Sequence, residues 1–67
     1  MYVKMSGLYG MSDSYAYYQK IGDGCFQFTY DRKHATDMSE AECRNVLKHG
    51  EWYMNQYNAD MISIMEV

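Results

Sequence analysis

Residues 39–57, SEAECRNVLKHGEWYMNQY, constrain this chain more than any other stretch. Cys43, Val46, Leu47, Gly50, Tyr53, Met54 and Tyr57 recur at steps of three and four, the spacing of one helix face. At the α-helical rotation they fall within roughly 60° of a common direction, and Trp52 projects about 200° away from Gly50. Ser39 followed by Glu42 matches a capping box, with Met38 and Cys43 placed as a hydrophobic staple. Glu40 and Glu42 in the first turn suit the helix dipole. Gly50 costs about 1 kcal/mol relative to Ala in a helix interior. It sits at the middle of the apolar stripe, however, where a missing side chain lets the backbone approach a sheet. The spacing predicts one helix ending at Asn58; the alternative ends the helix at Gly50 and makes residues 51–57 a strand.

The remaining segments read as strands. Residues 2–5 form a short one, followed by a Gly-Ser-rich connection. Residues 14–21 alternate, with Tyr15, Tyr17 and Ile21 on one side and Ala16, Tyr18 and Lys20 on the other. Gly22-Asp23-Gly24 is a hairpin signal. In residues 25–30, Phe26, Phe28 and Tyr30 face one way and Gln27 and Thr29 the other. Residues 61–67 close the chain with Ile62 and Ile64 inward. The expected fold is α+β: a small antiparallel sheet, in the order β-β-β-α-β, with one amphipathic helix packed on one face.

Sixty-seven residues make one domain, and a chain of this size buries only about 60% of the surface it exposes unfolded. A supplement to so thin a core is expected from a partner or a second copy rather than from a disulfide between Cys25 and Cys43. No stretch approaches a membrane span, and the N-terminal residues lack the apolar run of a signal peptide, so the expected location is the cytoplasm of whatever cell makes the chain. Nine acidic and six basic side chains leave a net charge of −3. That is too mild for a mimic of DNA and of the wrong sign for routine phosphate-backbone binding.

No catalytic constellation assembles in the sequence. Cys25, His34, Cys43 and His49 carry metal-binding atoms, but their C-x8-H-x8-C-x5-H spacing matches no common zinc module, and no metal or cofactor is expected. A cysteine nucleophile would need an activating base and an orienting group, and Cys43 falls on the inward stripe. Asp23, Asp31, Asp37 and Glu51 read as solvated loop and turn carboxylates. The glycines form no phosphate loop.

Trp52 is different. Its helical neighbours Asn45, Lys48, Asn55 and Gln56 are all polar, and a lone aromatic in such a surround is the composition of an interface hot spot. Eight tyrosines and seven methionines in a chain without proline add adaptable contact surface. The expected partner-binding set is Trp52, Lys48 and Gln56 on the helix, Tyr18 and Tyr9, and the basic pair Arg32 and Lys33. A second reading places a single-stranded nucleic acid on Tyr2 and Tyr18 of an open sheet face, gripped by Arg32 and Lys33.

The succession of aromatic hairpin, polar segment Ala35-Thr36-Asp37-Met38-Ser39-Glu40-Ala41-Glu42, amphipathic helix and terminal strand resembles, in type, the small accessory proteins of bacteriophages, anti-CRISPR proteins among them. That resemblance implies a non-catalytic inhibitor that works in the host-cell cytoplasm and blocks a host protein, such as a defence complex or nuclease. Homodimerisation is a further expectation: Trp52, Tyr18, Tyr9 and Met11 are expected to be exposed, and the last strand to lie at a sheet edge.

Overall fold

Side-chain alternation along four short strands decides which face of the sheet is covered. The computed structural model describes all of residues 1–67. It places β1 (Tyr2–Ser6), β2 (Tyr15–Gly22), β3 (Cys25–Thr29) and β4 (Met61–Met65) in one antiparallel sheet of order β3-β2-β1-β4. Val3, Met5, Ala16 and Phe28 point to the face that the helices cover, joined by half-buried Ile62 and Ile64. Tyr2, Lys4, Tyr17, Gln19 and Gln27 lie on the opposite face, as the pairings Lys4↔Tyr17 and Gln19↔Gln27 require. At the β2–β3 turn Gly24 supplies the positive φ (70°), and a register shift between Lys20 and Gly22 leaves Ile21 exposed.

The face of the long amphipathic segment is as expected, but its continuity is not. The capping box forms: the Glu42 amide donates to Ser39 Oγ at 3.2 Å, and the Ser39 amide donates to Glu42 Oε1 at 3.3 Å. Instead of one helix there are two, α1 (Glu40–Leu47) and α2 (Gly50–Tyr57). The break is at His49, whose φ of −106° and ψ of 17° leave the helical region and whose amide donates to Val46 O at 3.1 Å, one residue short of helical spacing. A straight helix over these residues would be about 27 Å long, well beyond the roughly 17 Å of a five-residue strand. The bend lets both halves lie on the sheet. Across it, all seven stripe residues stay buried or half-buried and the remaining positions of both helices are exposed.

Gly50 is buried at the first turn of α2. A Cβ built there would stand 3.0 Å from Ile62 Cγ2, so the close approach to the sheet expected at this residue is present, on β4. Asn58 ends α2 in the left-handed conformation (φ 48°), the expected terminator.

Beyond the Lys4↔Tyr17 pair, β1 and β2 are held apart by residues 35–38. The Thr36 amide donates to Tyr18 O at 3.0 Å, the Lys20 amide donates to Thr36 Oγ1 at 2.8 Å, and the Met38 amide donates to Met1 O at 2.6 Å. The segment read from sequence as a polar loop therefore acts as a wedge that completes the sheet. The connection after β1 is likewise ordered as a 3₁₀ turn, Leu8–Gly10, with Leu8 among the most buried side chains.

Candidate protein-binding surface

The helices pack over β1 and β4, which leaves the inner face of the β2–β3 hairpin to aromatic side chains. Tyr53 and Tyr57, on the inward stripe of α2, reach across to Phe28 with ring centroids 5.2 and 5.4 Å apart, and Tyr53 meets Phe26 edge-on at 5.4 Å. Behind them Tyr18 stacks on Phe26 at 5.1 Å. Such tilted and offset geometries suit the aromatic quadrupole.

Between α2 and β3 this arrangement leaves a groove of about 480 Å³. Phe28 and Tyr53 form its floor, Phe26, Trp52 and Tyr57 its walls, and Gln56 its polar margin, with β3 at Gln27 along the rim; the Gln27 side chain turns to the opposite face, where its amide donates to Gln19 Oε1 at 3.0 Å. Trp52 is 60% exposed and Phe26 38%, whereas Tyr53 beneath them is only 8% exposed. Burial pushes the Tyr53 and Tyr57 hydroxyls above their ordinary pKa, with Tyr18 acting on the first and Tyr30 and Tyr9 on the second in the same direction. The groove is therefore uncharged at neutral pH.

The structure disperses the residues expected to bind together. Trp52 and Gln56 share the groove. Lys48 is exposed at the α1–α2 break, outside it. Tyr9 is 55% exposed, in a left-handed conformation (φ 53°) unusual for an aromatic residue; its amide donates to Asn58 O at 3.0 Å, tying it to the end of α2. Tyr18 is not on the open sheet face. It is half-buried on the helix side, because its even-numbered position shares parity with Ala16 in the core. Arg32 and Lys33 sit on the opposite side of the molecule, beside Tyr2 in a cavity of about 500 Å³ that Asp31 and Asp37 also line. Phe26 and Tyr57 belong to the groove, although their spacing marks them as core. Phe26 lies two residues after Gly24, near the hairpin tip, where Tyr18 and Tyr53 cover only part of its ring.

Open-face stacking is weakened in the same way. Tyr2 is 8% exposed, tilted against Tyr17 at 5.9 Å, with the Arg32 guanidinium over its ring at 5.6 Å, so its face is already occupied. Elsewhere, both cysteines are free: Cys25 is exposed and Cys43 buried, its thiol pushed up by burial and hence a poor nucleophile at neutral pH. Lys20 and Glu42 pair at 2.5 Å over a smaller cavity of about 220 Å³. No three His, Cys, Asp or Glu side chains lie together as a metal site, and no helix is long and apolar enough to cross a membrane. No protein-family model, curated protein or solved structure matches the chain.

Proposed function

We propose that this protein is a non-catalytic binding module that acts by seating part of another protein in the α2–β3 groove, in the manner of a stoichiometric inhibitor of a host defence or nucleic-acid enzyme. The observation that carries this reading is the groove's chemistry. Five aromatic rings and the Gln56 amide line it, and no charged side chain does. A polyanion would find no electrostatic hold there. An uncharged protein segment with one or two large apolar side chains would bury them against Trp52 and Phe26 while Gln56 meets its backbone. The inhibitory role itself rests on the resemblance in type to small phage accessory proteins.

Trp52 is the only tryptophan, so it reports on its own surroundings. The immobilised protein should retain a discrete protein from bacterial lysate, and titration of the purified partner should shift Trp52 emission to the blue. Trp52→Ala should weaken that complex about 30-fold, the loss expected of a hot spot. A complex that forms with unchanged affinity after Trp52→Ala, or one that leaves the emission unmoved, overturns the assignment of the groove.

A further inference from the structure

We propose that the cavity beside Tyr2 is a binding site for a small organic phosphate, whose phosphoryl group is held by Arg32 and Lys33. The site lies on the opposite side of the molecule from the α2–β3 groove and does not depend on what that groove takes. It is built by the return of the chain after β3. Past Thr29 the backbone leaves the sheet edge, and Asp31 opens the 3₁₀ turn Arg32–His34 by accepting the Lys33 amide at 3.0 Å. Thr36 then ties the returning segment to β2, through Tyr18 O and the Lys20 amide. The turn is thereby held over the outer face of the sheet, with the Arg32 guanidinium 5.6 Å from the centre of the Tyr2 ring. The cavity between them is about 500 Å³, inside the roughly 300–1,000 Å³ of small-molecule sites.

Charge selects the ligand. Arg32 and Lys33 line the cavity together with Asp31 and Asp37, but only the two carboxylates are engaged. Asp31 is turned into its own 3₁₀ turn, and Asp37 takes the Met1 ammonium at 2.6 Å. The ion pairs of the molecule involve Met1, Lys20 and Arg44, and no carboxylate stands at ion-pair distance from the side chain of Arg32 or Lys33. Arg32 is held by an aromatic ring rather than by an acceptor, which places the guanidinium while its N–H fork stays unspent. A fork of that kind matches two oxygens of an oxyanion, and Lys33 supplies a further cation. A carboxylate has only two oxygens, which Arg32 alone would satisfy. A phosphoryl group has a third terminal oxygen for Lys33 and a second charge. The remaining lining, Tyr2, Ala35 and Val67, suits a compact apolar or aryl body on the ester oxygen. A polynucleotide is the poorer fit, because Asp31, Asp37 and a net charge of −3 oppose a long run of phosphates.

Phenyl phosphate is the probe. Titrated into the full chain and followed by two-dimensional amide NMR, it should saturate with a Kd of about 1 mM or tighter. The amides of Tyr2 and of residues 31–35 should shift, and Trp52 emission should stay where it is. Inorganic phosphate, which lacks the apolar body, and benzoate, which lacks the third oxygen, should each bind about fivefold more weakly. Arg32→Gln should weaken phenyl phosphate about tenfold and Lys33→Gln about fivefold, while Arg32→Lys should recover only part of the loss, since it keeps the charge without the fork. Both side chains are exposed, and circular dichroism of each variant verifies its fold. The proposal is overturned by the absence of saturable shifts at these residues, by benzoate binding as tightly as phenyl phosphate, or by an affinity that Arg32→Gln leaves unchanged. A probe that moves Trp52 emission instead is seated in the groove and overturns it equally.

Discussion

At the scale of single residues, adjacent positions on α2 have opposite roles. Trp52 and Tyr53 are neighbours with ring centroids 5.6 Å apart, yet one is 60% exposed and the other 8%. Tyr53 contacts Phe26 and Phe28, and its removal would open a cavity under the hairpin. Tyr53→Ala should therefore cost about 3–5 kcal/mol of folding stability, whereas Trp52→Ala should change it by no more than about 0.5 kcal/mol. Urea titrations of the two variants separate the cases; a large loss for Trp52→Ala would make Trp52 part of the core. The sequence already placed these residues on opposite sides of the stripe, because a 100° step decides direction without reference to the rest of the chain. It did not show that Phe26, two residues past a turn, would be half-uncovered. That depends on where the helix ends in space.

At the scale of elements, the helix break and the sheet depend on each other. Gly50 is the point of closest approach, and a larger residue there must displace Ile62 on β4. Gly50→Val should destabilise by about 1–3 kcal/mol through overpacking, and part of that cost should vanish in an Ile62→Ala background, which a double-mutant cycle measures. The helix start is coupled to the hairpin by charge. The Lys20 ammonium, and after it the Ser39 amide, hold the Glu42 carboxyl below its ordinary value, and Glu42 raises Lys20. A carboxyl whose folded pKa is depressed contributes stability that is complete above its unfolded value of 4.5 and is lost as pH falls through the lower folded value. The raised lysine contributes below 10.5 and loses its share as pH rises through the folded value. Both groups are exposed, so the effect is screened and modest. Urea midpoints should decline as pH falls below about 4.5, and Glu42→Gln should flatten that decline; an unchanged slope would mean that other carboxyls govern it.

At the scale of the whole molecule, 13 of 67 residues are buried, and the largest fully buried side chains are Val3, Met5, Leu8 and Cys43. So small an aliphatic centre leaves aromatic packing between α2 and the hairpin to hold half of the sheet. Marginal size also makes association a natural supplement. The wedge of residues 35–38 also belongs to this scale: its composition is that of an ordinary polar loop, and only the divergence of β1 and β2 beyond Lys4 gives Thr36 its partners on Tyr18 and Lys20.

What the sequence determined by itself is what near neighbours in the chain can enforce. Ser39 and Glu42 start a helix, Gly24 turns a hairpin, Asn58 ends α2, and periods of 3.6 and 2 assign most side chains to a face. The α+β class and the antiparallel strands follow from those local rules. Only the tertiary structure decided the bend at His49, the half-burial of Tyr18 on the helix side of the sheet, the separation of Arg32 and Lys33 from Trp52, and the groove itself. Each of these depends on distances between elements remote in sequence. A helix too long for its sheet must bend, and two helices packed over β1 and β4 leave the hairpin's aromatic face to whatever else can cover it.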